Sequence, residues 1–196
     1  MLLTLTDGVA ADTITRLRSS LARNTEPEGS AIPDALRANP LFVLAVEPRR
    51  ISDPVFSSYE CKMAAPVEVA EAMPNGGEHV RADIGVTVLL SETDEYAGGE
   101  LVVDTGWGEE RIKEKAGTCI VYPATARTGI AEVTQGTLWI ARVWVQSLVI
   151  HAWQREILYD IGYSASLLDV FGGGRAGALE TLQRCRRNLL RHWARP

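Results

Sequence analysis

Hydrophobic positions recur at two periods along this chain, and the change from one to the other sets its plan. Leu2–Leu5 reads as a short strand. Ile14, Leu17 and Leu21 then repeat at three and four residues, the apolar stripe of a helix that Asp7 could cap. Residues 24–35 are polar, with Pro and Gly, and read as a loop. Residues 41–47 (LFVLAVE), bounded by Pro40 and Pro48, suit a buried helix turn or a strand. Residues 55–63 read as a strand, and 64–78, with two prolines and a Gly pair, as irregular. From residue 84 the pattern is that of short strands: 84–91, 100–105, 109–115, 117–123 and 137–149. Residues 92–99 read as a turn, and Gly106-Trp107-Gly108 as a hairpin tip. Helical spacing returns over 150–170. After Gly172-Gly173-Gly174, Ala178, Leu182, Cys185, Leu189 and Trp193 mark a last helix packing on the β core.

Many short strands with turns between them favour a mainly β sandwich or jelly roll, with flanking helices, over a parallel α/β sheet. A length of 196 residues suits one domain. Residues 1–83 would hold the N-terminal helices and first strands, 84–149 the β core and 150–196 the C-terminal helices. A net charge of −5 argues against a nucleic-acid partner. The arginines at 184, 186, 187, 191 and 195 read as a solvated helix face. No apolar run is long enough for a membrane span, and the first residues do not form a signal peptide. Cys61, Cys119 and Cys185 are odd in number and far apart, which points to reduced thiols in the cytoplasm rather than to disulfides or zinc. The Gly triplet lacks the Lys-Ser/Thr of a phosphate loop.

Four stretches carry a family resemblance: Asn39-Pro40-Leu41-Phe42 through Pro48-Arg49-Arg50-Ile51 to Tyr59-Glu60; Tyr96 to Leu101; Gly117 to Tyr122-Pro123; and Trp144-Val145-Gln146-Ser147. Asn188 to Ala194 adds a fifth. In order and spacing these stretches resemble the bacterial PKHD-type hydroxylases, relatives of prolyl and lysyl hydroxylases among the Fe(II)/2-oxoglutarate dioxygenases. The resemblance covers most of residues 36–196; around 24–35 the chain is shorter than the family pattern. It implies a double-stranded β-helix, a jelly-roll or cupin-like barrel, plus C-terminal helices.

The family's catalytic signature is a His-x-Asp, a distal His, and an Arg for the far carboxylate of 2-oxoglutarate. By motif spacing these fall on Glu68-Val69-Ala70, Thr128 and Leu138, so every one is replaced. The only histidines are His79, His151 and His192, none between residues 80 and 150. Mononuclear Fe(II) normally takes two imidazoles and a carboxylate. One carboxylate at Glu68 supplies neither affinity nor geometry, and Leu138 cannot bond a carboxylate. The expectation is therefore no metal and no cofactor, with His79 brought into the barrel as the one route back to a metal site.

A barrel without its metal still has a mouth, where ligands commonly bind. The expected lining is Tyr59, Cys61, Glu68, Ala70, Tyr122, Thr128, Leu138, Arg142 and Trp144. Strand alternation puts Leu138, Ile140 and Arg142 on one face, and Trp139, Ala141 and Val143 on the other. Arg142 then points inward and could hold an anion, unless it pairs with a structural carboxylate or sits beyond the barrel rim. Glu68, Arg142 and Tyr59 are the candidate catalytic groups, Glu68 as an acid or base if burial raises its pKa. Cys61, without a neighbouring base, reads as a small strand residue rather than a nucleophile. Two functions follow. One is a cofactor-independent, non-redox enzyme of isomerase, cyclase or lyase type acting on a small organic molecule. The other is a non-catalytic pseudo-oxygenase that binds a small ligand or pairs with a partner oxygenase. A homodimer is also compatible, with Trp107 as a contact or as a cap on the mouth.

Overall fold

A computed structural model describes residues 1–23, 25–69, 81–106, 108–171 and 176–195. Eleven strands and five helices appear in the order β1 (Leu3–Leu5), α1 (Ala11–Ala22), α2 (Ala31–Ala38), α3 (Pro40–Val46), β2 (Pro48–Ile51), β3 (Val55–Glu60), β4 (Ala65–Val69), β5 (Ile84–Leu89), β6 (Tyr96–Gly98), β7 (Leu101–Asp104), β8 (Glu109–Ile112), β9 (Cys119–Pro123), β10 (Arg127–Ile130), β11 (Val133–Ser147), α4 (Ala152–Phe171) and α5 (Ala176–Trp193). Two antiparallel sheets face each other. The larger runs β1-β9-β5-β11-β2, with β3 and β6 also paired to β11; the smaller runs β4-β10-β7-β8.

The fifteen-residue β11 is the spine. Its start pairs with β6, its middle with β3 on one side and β5 on the other, and its end with β2. Gly136 takes φ 71°, where a side chain would strike the backbone carbonyl of Glu95, and the register shifts just before it. Beyond this bulge the strand alternates as expected. Leu138 and Ile140 are buried between the sheets, together with Leu89, Ile120 and Tyr122 of the large sheet and Leu101, Val103 and Ile130 of the small one. Ala141, Val143 and Val145 face the opposite way. They join Val86, Val88 and Val121 in a second core, closed by Ile14 and Leu17 of α1, Ile32 and Leu36 of α2, and Phe42 of α3.

Several local expectations are corrected. Asp7 does not cap α1: it lies in a left-handed turn (φ 55°) and pairs with Lys115 at 2.6 Å, while the N-cap residue is Ala10. The loop read over 24–35 gives way to α2 from Ala31, because Ile32 and Leu36, one turn apart, both bury. Residues 41–47 resolve as helix: Asn39 accepts bonds from the Leu41 and Phe42 amides, both at 3.0 Å, and Pro40 sits at the first helical position. The irregular reading of 64–78 missed β4. Pro66 is tolerated there because β4 is an edge strand. Strands β6 and β10 were not foreseen either.

The last helix packs on α4 rather than on the β core. Its partly buried side chains are Leu179, Leu182, Arg186, Leu189, Leu190 and Trp193, whereas Ala178 and Cys185 are exposed. Arg186 is not on a solvated face. It donates to the carboxylate of Glu47, whose side chain is only 8% exposed, and to the carbonyl of Leu158. Burial pushes the Glu47 carboxyl up from the usual range, and Arg186 pulls it back. The Gly172–Gly174 joint and Trp107 lie outside the described residues.

The motif at the end of β11 is structural. The Ser147 hydroxyl donates to the Val46 carbonyl (2.7 Å), and its amide donates to Asp83 (2.9 Å). Arg81 grips the same Asp83 carboxylate through Nε and Nη2, each at 2.8 Å. These bonds fix where β5 and β11 enter the barrel.

Candidate functional site inside the barrel

Register decides which side chains meet, because directly opposed residues of antiparallel strands project to the same face. Arg142 on β11 stands opposite Thr87 on β5, and Thr87 opposite Ile120 on β9. One row along, Trp144 stands opposite Gly85, and Gly85 opposite Tyr122. Gly85 is required there: a methyl group at that position would collide with the rings of both Tyr122 and Trp144. Leu138 stands opposite Tyr59 on β3. In the small sheet Glu68 on β4 stands opposite Thr128 on β10, which in turn faces Val103 on β7.

Tyr122 links the two sheets. Its side chain is almost wholly buried, and its hydroxyl lies 2.9 Å from Thr87 Oγ1. Burial pushes this hydroxyl up from its ordinary value, while Thr87, the charge of Arg142 and a hydrogen bond with Thr128 pull it back. So Thr87, Tyr122, Thr128 and Arg142, from four strands, form one polar cluster among apolar neighbours. Within it the Nε and Nη2 of Arg142 are buried and have no hydrogen-bond partner among the described residues. The structural carboxylate that would make Arg142 a mere packing residue is therefore not found among the described residues.

The other expected residues divide. Tyr59 and Trp144 are partly buried against the barrel core, and Leu138 is fully buried in it. Thr128 is buried within the cluster. Glu68 shares its row but is exposed, so the burial on which its acid–base role depended is absent. Cys61 is exposed in the turn after β3, its Sγ 3.1 Å from the Thr134 carbonyl, and does not line the barrel interior. Ala70 and His79 lie outside the described residues. Of the other histidines, exposed His151 stacks with Trp153 beside α4, and exposed His192 lies on α5. Thr87 was not anticipated. The signal was present: it is the one hydroxyl in the run IGVTVL, two residues from Gly85 and so on the same face.

Among the described residues no group of three or more His, Cys, Asp or Glu is arranged to hold a metal ion. The Glu68–Thr128 row offers one carboxylate and one alcohol, a donor set that does not fit mononuclear Fe(II). A buried tyrosine hydroxyl, two threonine hydroxyls and a guanidinium are instead suited to holding an oxygen-rich ligand.

No family model matches the chain. A PKHD-type hydroxylase of Burkholderia ambifaria is 40% identical over 169 residues, covering 85% of this chain and 74% of that protein. The chain belongs to the PKHD-type hydroxylase family. Solved structures agree on the fold. A Pseudomonas putida prolyl-4-hydroxylase superposes with a TM-score of 0.53 at 14% identity, over 74% of this chain and 88% of that one. An oxidoreductase of the 2OG-Fe(II) oxygenase family from Burkholderia pseudomallei gives 0.57 at 13%, over 74% and 84%. The double-stranded β-helix expected from the sequence is thus the observed architecture. No described helix is long and apolar enough to cross a membrane.

Proposed function

We propose that this PKHD-type family member binds a small organic molecule in its barrel and acts as a ligand-binding pseudo-oxygenase. One observation carries the reading: a buried polar cluster of Thr87, Tyr122, Thr128 and Arg142 sits where apolar filling would be more stable. Buried polar groups cost stability unless they are bonded, so a cluster left partly unbonded favours a binding role. The positions that motif spacing gives to the iron ligands suit the same reading, since Glu68 and Thr128 face each other and neither is an imidazole. The non-redox enzyme reading gains less support. Glu68 is exposed rather than buried in the barrel, and burial pushes the Tyr122 hydroxyl up, away from proton exchange near neutral pH. Three free cysteines suit a reducing, cytoplasmic setting.

The relatives' names favour a second reading, an active iron- and 2-oxoglutarate-dependent hydroxylase. It requires ligands from residues 70–80, including His79. Metal analysis of the purified protein, with a succinate-release assay on 2-oxoglutarate, separates the two. The pseudo-oxygenase reading expects no stoichiometric iron and no succinate; finding both overturns it.

A further inference from the structure

We propose that the ligand is a small carboxylate on a compact apolar or aromatic body, taken side-on by Arg142. This rests on the barrel being a binding site and adds the chemical class. The two Arg142 nitrogens without partners are Nε and Nη2. They are the parallel pair that can hold both oxygens of one carboxylate, and a guanidinium presents them in a fixed plane. The same protein shows the geometry elsewhere: Arg81 holds Asp83 through Nε and Nη2, each at 2.8 Å. At Arg142 the fork is buried and no described side chain supplies the oxygens.

The surroundings define the rest of the ligand. The Tyr122 hydroxyl, bonded to Thr87 and influenced by both Thr128 and Arg142, is a second polar anchor near the fork. Tyr59 and Trp144, partly buried and packed against the fully buried Leu138 and Ile140, make the neighbouring surroundings apolar and aromatic. A neutral ligand would leave the guanidinium unmatched. A highly charged one would lack further cations, since among the described residues Arg142 is the one Lys or Arg whose charge acts on Tyr122. This anchor also differs from the position at Leu138 that the family pattern reserves for a 2-oxoglutarate carboxylate.

The test is calorimetric titration of the purified full chain with benzoate, phenylacetate, hexanoate, benzamide, inorganic phosphate and 2-oxoglutarate. At least one of the three monocarboxylates is expected to bind. Benzamide, which keeps the shape of benzoate without its charge, should bind about tenfold more weakly or worse. Arg142→Lys, which keeps the charge but not the fork, should weaken the carboxylate by about tenfold, and Arg142→Met should abolish binding. Both variants are first checked for native circular dichroism; Arg142→Gln replaces either one that misfolds. Equal binding of benzamide, or carboxylate binding that survives Arg142→Met, overturns the carboxylate assignment while leaving the barrel a binding site. So does a response confined to phosphate. No binding by any monocarboxylate overturns it too. Binding of 2-oxoglutarate together with stoichiometric iron and succinate release overturns the pseudo-oxygenase reading itself.

Discussion

Removing the residue that makes the site should make the ligand-free protein more stable. Arg142 is partly buried and carries two buried donors without partners among the described residues. An unsatisfied buried donor costs about 1–3 kcal/mol, and exchanging buried ionic groups for apolar side chains of similar volume is often stabilising by about 1–4 kcal/mol. Methionine follows much of the arginine stem and brings no polar atom. Allowing for imperfect packing, Arg142→Met should gain about 1–3 kcal/mol. For a chain of this size each kcal/mol moves Tm by about 2–4 °C, so a rise of roughly 2–12 °C is expected. Thermal unfolding followed by circular dichroism, in buffer free of carboxylates and phosphate, measures it. Adding a carboxylate that binds should then raise the wild-type Tm and leave the variant's unchanged. A variant less stable than wild type in ligand-free buffer would refute the reasoning, because it would mean that Arg142 has a structural partner in solution.

Three further outcomes follow from the packing. Gly85→Ala forces a methyl group into the rings of Tyr122 and Trp144, and should cost about 1–3 kcal/mol in denaturant unfolding and distort the cluster. Arg186→Met strands the buried Glu47 carboxylate and should cost about 3 kcal/mol at neutral pH. The folded Glu47 carboxyl lies above its unfolded value of 4.5, so the folded state binds more protons in that window; stability should fall as pH rises from 4.5 through the folded value, more steeply in the variant. Cys119 is buried and its thiol is pushed up to about 12, so a thiol reagent should titrate Cys61 and Cys185 rapidly in the native protein and Cys119 only on unfolding.

What the sequence revealed was the part governed by local period. Alternation along 138–144 placed Leu138, Ile140 and Arg142 inward before any partner strand was known, because successive side chains of a strand must point to opposite faces. The family stretches likewise foretold the barrel. Hidden were features decided by distant partners. β10, with the sequence RTGI, has no period to read; β4 and β7 on either side make it a strand. Pro66 looked like a breaker because nothing local says that β4 lies at an edge. Arg186 looked like one more surface charge, since Glu47, its partner, lies 139 positions away. Thr87 was passed over in an apolar run, and only the register with Arg142 and the hydroxyl of Tyr122 gives it a role.

The same cluster explains why introducing imidazoles alone would make a poor metal site. Glu68 and Thr128 are directly opposed on β4 and β10, so Glu68→His with Thr128→His would place two rings side by side on one face. Two imidazoles at that spacing suit a divalent transition metal with open positions. The Arg142 charge, however, is felt at Tyr122, whose hydroxyl Thr128 also influences. At about 10 Å, the spacing of packed sheets, a unit charge repels a divalent ion by roughly 3 kcal/mol at an effective dielectric constant near 20. Adding Arg142→Met to the double variant should therefore tighten cobalt(II) binding by about a hundredfold, followed through the visible absorption of the bound ion. Equal affinity with and without Arg142 would show that the guanidinium does not share the space between the two sheets, and that Arg142 and the introduced metal site are separate places.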